Sequence, residues 1–264
     1  MDLKEFANKI GLNRETLNFV LNSNEVSDSD IADFYFCPSN YIEKLKASSV
    51  DYNAAMLVFY TKLAASKGVS KYNGKGISEQ VCFDTMYDLT LWSEVYKAET
   101  GKFGIADSET EWFIAHMNAN IFTLGRLQFK PNTLKHDLEL GRGIKFSKGD
   151  SVVEIHIPRG KAMTIESVND SIKKAQVLFG RGKLYSCFSW LLSPYLQEVL
   201  PLESNIMSFA SRFEITQVIP NDNSAMRYLR YAAMSKTSAL LQWADERVKH
   251  GKQAGAALGW IYDN

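Results

Sequence analysis

Cysteine is scarce in this chain: Cys37, Cys82 and Cys187 are the three in 264 residues. An odd number, so widely spaced and with no CxxC pair, excludes a disulfide framework and predicts reduced thiols in a cytoplasmic protein. Excess charge of either sign is missing too. Thirty Lys+Arg offset thirty Asp+Glu, with no basic stripe to neutralise a run of phosphates, which argues against nucleic acid as a partner. Long apolar runs are absent: the longest, Ala54 to Tyr60, falls far short of the ~20 residues that span a bilayer. No apolar segment follows the opening Met1-Asp2-Leu3-Lys4-Glu5, so neither secretion nor membrane insertion is expected. GxSxG, HExxH and GxGxxG do not occur, and Gly68 to Gly76 lacks the spacing of a phosphate loop. The histidines His116, His136, His156 and His250 have no i+3 or i+4 partner, so no metal is expected.

What is present is the composition of an ordinary folded protein, 45% hydrophobic, 12% aromatic and 23% charged. The pattern changes near residue 115, dividing the chain into a helical part, 1–115, and a mixed part, 116–264. In the first, Leu3, Phe6, Ala7 and Ile10 form a helical stripe. A second stripe runs through Val81, Cys82, Thr85, Met86, Leu89, Trp92, Val95 and Tyr96. Gly68 is the expected stop of an Ala54 to Ala65 helix and Gly101 that of the Val81 to Tyr96 helix. Ser108-Glu109-Thr110-Glu111 reads as a capping box opening a helix at Trp112. Beyond Asn118 the period falls to two. Leu127 and Phe129 alternate with Arg126, Gln128 and Lys130, and Val153, Ile155 and Ile157 alternate with Glu154 and His156. These two strands, joined through the turn-rich stretch Pro131 to Asp150, are expected to be antiparallel neighbours. A helix spaced by Ile165, Val168, Ile172, Ala175 and Phe179 follows, then a strand from Leu184 to Leu192. Short helices around Tyr195 and Asn205, a strand from Phe213 to Ile219 and a helix from Ser238 to Lys249 complete an α+β architecture.

Two segments carry candidate chemistry. Glu154 and His156, about 7 Å apart along one strand face, suit a proton relay, with Arg126 and Gln128 beside them. The competing reading of the same face is a solvated sheet with an Arg126 to Glu154 ion pair. Pro158-Arg159-Gly160-Lys161-Ala162 leaves a strand and enters a helix near Thr164, a place where backbone N–H groups and two cations can hold an anion. Ser189 lies on the third strand, where only one of its two alternating sets can face a site. Ser204 reads as a helix N-cap. Cys187 offers a further route, an acyl-enzyme, if it stood near His156.

The run Leu124-Gly125-Arg126-Leu127-Gln128-Phe129, then His156-Ile157-Pro158 with Gly160, Ser189-Trp190-Leu191-Leu192 with Pro194, and Ser204-Asn205-Ile206 with Phe209 and Phe213, resembles bacterial acyltransferases with a helical amino-terminal domain and a GNAT-like carboxyl domain. Trp92, Tyr96, Thr100-Gly101, Gly104-Ile105 and Trp112 fit the same pattern. The resemblance implies a helical domain followed by a GNAT-like α/β domain with a mostly antiparallel sheet. It implies acyl transfer from acyl-CoA, without metal, to an amine or hydroxyl of a small-molecule or peptide acceptor. His156 and Glu154 would then be catalytic, Arg126, Gln128 and Ser189 would bind substrate, and Arg159, Gly160 and Lys161 would hold the pyrophosphate of CoA. Two departures stand out: Ile157 replaces the usual Gln or Arg of the GNAT turn, and Lys130 replaces a glutamate. They motivate the alternative of a non-catalytic ligand- or partner-binding module on the same fold. Oligomeric state is left open.

Overall fold

The computed structural model describes residues 1–24, 26–33, 38–47, 51–159, 162–226, 229 and 239–262. The chain forms two compact units, Met1–Thr123 and Leu124–Asn264. Among the described residues no helix is long and apolar enough to cross a membrane.

The first unit holds α1 (Leu3–Lys9), α2 (Arg14–Asn22), α3 (Asp28–Asp33), α4 (Pro38–Lys46), α5 (Tyr52–Leu63), α6 (Val69–Asn73), α7 (Glu79–Thr100) and α8 (Thr110–Met117). The stripe of α1 packs inward, with Phe6, Ala7 and Ile10 fully buried. Helix α7 starts at the Ser78 cap and stops at Gly101, whose φ of 74° is the left-handed conformation expected there. Gly68 does not stop a helix. A π-helical segment, Ala64–Gly68, carries α5 on into α6, and Gly68 instead sits against Cys82 and Met86. The expected capping box is likewise not formed. Ser108 bonds the Glu109 carboxylate within a 3-10 turn, and α8 begins after it with no side-chain cap. Lys75 closes the exit of α8, its Nζ donating to the carbonyl oxygens of Asn118 and Ala119 and to Asn120 Oδ1 at 2.9, 2.8 and 2.7 Å.

At the centre of this unit is a buried polar group. Asp88 accepts from Trp112 Nε1 at 2.8 Å and faces His116 Nε2 at 3.1 Å, while His116 Nδ1 lies 2.7 Å from the Trp112 carbonyl oxygen. Asp88 and His116 are almost wholly removed from water, so each depends on the other for its hydrogen bonds.

The second unit contains the sheet. Its strands are β1 (Phe122–Leu124), in which the division between units falls, β2 (Leu127–Thr133), β3 (Leu138–Leu140), β4 (Ile144–Phe146), β5 (Ser151–His156), β6 (Leu184–Ser189), β7 (Glu214–Ile219) and β8 (Ala256–Tyr262). The six-stranded sheet runs β1-β2-β5-β6-β8-β7, and β3 and β4 form a separate hairpin. Pairings β2·β5, β6·β8 and β8·β7 are antiparallel, and β5·β6 is parallel. A parallel pair needs a crossover, here α9 (Ile165–Phe179). Helices α10 (Asn205–Ala210) and α11 (Ala239–Lys249) follow, with Ser204 capping α10 as expected.

Three differences from the sequence reading have clear causes. Gly125 and Arg126 form a two-residue hairpin turn, Gly125 at φ 78°, so Arg126 is a turn residue rather than a strand residue. The third strand ends at Ser189, and Trp190–Leu192 is a 3-10 turn. Strand β8 escaped notice because Ala256 to Tyr262 does not alternate in polarity. Its Gly259 is required by packing, since a Cβ there would lie 2.7 Å from Phe213 Cβ and 2.9 Å from Ile215 Cδ1.

The sheet has one apolar face and one divided face. Phe129 lies against Phe179 of α9 and Tyr185 of β6, so α9 covers the face of Phe129, Ile155 and Tyr185. On the other face, Val152 and Leu184 join Leu134 and Leu140 in a core against the β3–β4 hairpin. Further along the same strands that face turns polar.

Asp88→Ala is expected to lower unfolding stability by about 3 kcal/mol or more, because the buried His116 and the half-buried Trp112 both lose their partner. Asp88→Asn, which keeps one oxygen, should lose less in a urea titration. Equal losses would place the effect in packing instead.

Candidate active site

Strands β2 and β5 build the polar end of the divided face. Their register sets Gln128 opposite His156, Lys130 opposite Glu154 and Asn132 opposite Val152. Paired residues share a face, so Gln128, Lys130, Asn132, Glu154 and His156 project together, away from α9. The cross-strand ion pair is therefore not Arg126 to Glu154. Lys130 takes that place, its Nζ 3.3 Å from Glu154 Oε2.

Glu154 is held from three sides. Asn132 Nδ2 donates to Oε1 at 2.5 Å, and His156 Nε2 lies 3.5 Å from the Oε2 that Lys130 approaches. Burial alone would push this carboxyl up. The hydrogen bonds of His156 and Asn132 and the charge of Lys130 outweigh burial and hold it at about 2. So acidic a group is ionised at neutral pH and is a poor proton acceptor. It is suited to orienting the imidazole of His156, which remains one-third exposed. Gln128, opposite His156, is almost fully buried.

Beside this cluster the sheet opens. The parallel ladder pairs Val152 with Leu184, Val153 with Tyr185 and Glu154 with Ser186, and among the described residues it ends there. Both strands continue: β5 stays paired to β2 through His156, and β6 to β8 through Ser189. Past Glu154 and Ser186 the backbone edges of β5 and β6 therefore face each other unladdered, with His156 at the rim. Ser186 and Phe188 share the face of Glu154 and His156. Phe188 is 54% exposed, unusual for an aromatic on an interior strand.

Ser189 points to the opposite face, and its Oγ accepts from Leu191 N at 3.1 Å to cap the 3-10 turn. Cys187 shares that opposite face, is buried, and has its thiol pushed up to about 12 by burial, so it is neither near His156 on the sheet nor a ready nucleophile. Cys82 is also buried, and Cys37 lies outside the described residues. Among the described residues no group of His, Cys, Asp or Glu is arranged to hold a metal.

The loop from β5 to α9 begins at Ile157. Arg126 reaches it from the hairpin turn, its Nη1 donating to the Pro158 carbonyl oxygen at 2.7 Å. Thr164 caps α9 by accepting from Ser167 N. Arg159 is half-buried in this loop, and Gly160 and Lys161 lie outside the described residues. The sequence reading missed Asn132, and of the two alternating sets on the third strand it took Ser189, whereas the set of Ser186 and Phe188 shares the face of Glu154. Alternation was visible on each strand, but strand register was not.

The Glu154 carboxyl is depressed from 4.5 to about 2 in the folded chain, so the stability it contributes is present above about pH 4.5 and lost as pH falls toward 2. Glu154→Gln should therefore narrow the difference in unfolding stability between about pH 6 and about pH 3. A variant that loses stability in acid as steeply as the parent contradicts this assignment.

Residues 121–261 match the family described as GNAT-like C-terminal domain, and residues 1–119 match the N-acyltransferase N-terminal domain. No curated protein matches the chain. Solved structures share the fold at low identity. An acyltransferase in complex with decanoyl-CoA and teicoplanin is similar at 17% identity and a TM-score of 0.72, over 99% of this chain and 87% of that one. An acyltransferase mutant in complex with octanoyl-CoA is similar at 14% identity with the same TM-score and coverage. With both domains matched in order, and the GNAT-like match alone spanning more than half of its length, the chain belongs to the N-acyltransferase family whose helical N-terminal domain precedes a GNAT-like C-terminal domain.

Proposed function

We propose that the protein transfers an acyl group from acyl-CoA to an amine or hydroxyl acceptor, with His156 as general base. The observation that carries this reading is the parting of β5 and β6 beyond Glu154 and Ser186, with an imidazole at its rim. Two facing strand edges without a ladder offer N–H and C=O groups to an extended chain that bears amides of its own. The pantetheine arm of CoA is such a chain. Laid in the opening, it brings its thioester toward His156 and gives an acyl chain the exposed ring of Phe188 to lie against.

In the transfer the acceptor nitrogen or oxygen attacks the thioester carbonyl carbon, and the C–S bond breaks as the new C–N or C–O bond forms. The acceptor proton passes to His156, and the imidazolium so formed gives a proton to the departing thiolate of CoA, which leaves as the thiol. Glu154, kept ionised by Asn132 and Lys130, orients the imidazole and stabilises its positive charge once it has taken the proton. Gln128 is placed to orient the acceptor or the carbonyl. Arg159, Gly160 and Lys161, which lie in the sequence between β5 and α9, are the proposed holders of the pyrophosphate. Acyl-CoA and a glycopeptide bound to structural neighbours support this substrate class, with a small-molecule or peptide acceptor.

The test is turnover with binding measured alongside. Saturation with CoA at about a hundred times its Kd should stabilise the folded chain by about 2.7 kcal/mol in thermal unfolding. His156→Ala should lower kcat by on the order of a hundredfold while CoA still binds. Full turnover by His156→Ala would remove it as the base.

A further inference from the structure

The helical unit carries a cavity that acyl transfer does not use. It measures about 470 Å³, the size of a small-molecule site, and two segments far apart in sequence build it: α2 with the residues that leave it, and the connection from α7 to α8. Asn18 and Asn22, four positions apart, stand on one side of α2 with Phe19 beside them. Asn24 follows where the chain becomes extended at Ser23.

Phe103 comes from the other segment and is held in place by its neighbours. Gly101 ends α7 in the left-handed conformation. Gly104 packs so closely that a Cβ would lie 2.7 Å from Tyr96 Cε1, and Ile105 N donates to Asn53 O at 3.0 Å. Between them Phe103 stacks on Phe19, ring centroids 4.7 Å apart and planes 13° from parallel. Lys97 Nζ stands 4.3 Å from the Phe103 centroid and pairs with Glu15 Oε1 at 2.6 Å. The two rings thus form a wall that is set before any ligand arrives.

The polar lining is mostly of one kind. Asn18, Asn22 and Asn24 are exposed, and among the described residues their side-chain amides bond no other group of the protein. Glu15 is the one charged residue of the lining, and Lys97 already compensates it, so an ion finds no free charge there. A purely apolar ligand would displace the water on three amides without replacing its hydrogen bonds. A hydroxyl both donates and accepts, as a carboxamide does. A ring with hydroxyls around its edge and C–H groups on its face therefore matches amides beside an aromatic wall.

We propose that this cavity binds a neutral sugar ring, its C–H face against Phe19 and Phe103 and its hydroxyls on Asn18, Asn22 and Asn24. The site shares no residue with the acyl-transfer centre and does not depend on that reading.

The experiment is saturation-transfer NMR on the full chain, with the methyl glycosides of glucose, galactose, mannose and N-acetylglucosamine as probes and glucuronate as the charged control. At least one neutral glycoside should show transfer, and glucuronate none. Titrated with that glycoside, Asn18→Ala/Asn22→Ala should bind about tenfold more weakly, having lost two hydrogen-bonding amides. Thermal unfolding of this variant should match or exceed the parent, because alanine favours the helix and these amides have no protein partner to lose. His156→Ala should bind the sugar as the parent does. Absence of transfer from every neutral glycoside overturns the proposal, and so does parental affinity in Asn18→Ala/Asn22→Ala or a preference for glucuronate. A glucosylated serine tripeptide tells the two sources of such a ring apart: tighter binding than the methyl glycoside assigns it to a glycosylated partner and equal binding to a free saccharide, either result upholding the site.

Discussion

One short parallel pairing governs the second unit of this protein. β5 and β6 are laddered over three residue pairs and then part, while their outer neighbours β2 and β8 keep each strand ordered. Parallel neighbours require a crossover, and that crossover is α9 with its leading loop. The same pairing therefore fixes the strand opening and sets His156 at its rim. A fully zipped pair would satisfy the backbone internally and leave nothing for an extended ligand to meet.

The electrostatics of the site follow from register. Lys130 and Asn132, one strand away, hold Glu154 ionised despite its burial, and Glu154 in turn faces His156. The chemistry expected of two groups acting alike is divided between them. In the proposed transfer the carboxylate orients and the imidazole exchanges the proton, because a carboxyl held at about 2 has little affinity for one. The lysine that departs from the family pattern has a physical role here, as one of the groups that keep Glu154 charged.

The helical unit rests on a different device, a buried Asp88, His116 and Trp112 group closed on itself by hydrogen bonds. Around it lie stacked rings, Tyr41 on Phe59 and Tyr60 on Phe113. Such a core gains from dispersion and area, and its buried Asp88 is met by neighbours within the unit.

Much was legible in the residues themselves. Local periodicity located α1, α7, α9, β2 and β5, glycine chemistry located the end of α7, and hydroxyl chemistry the cap of α10, because each depends on neighbours close in sequence. Alternation also put Glu154 and His156 on one face, and the ordered motifs pointed to the family. What sequence could not supply was register and contact at a distance. Whether Glu154 meets Arg126 or Lys130, and whether Ser186 or Ser189 shares its face, turns on pairings between strands far apart in the chain, where a slip of one residue reverses every side chain. Strand β8 was hidden because its glycine and its burial on both sides erase the alternation that marks a strand. The sequence by itself determined which segments could be helix or strand and which residue types the site would contain. Only the tertiary structure decided which of them meet, because hydrogen-bond ladders and packing, not local preference, set the register and the point at which β5 and β6 separate.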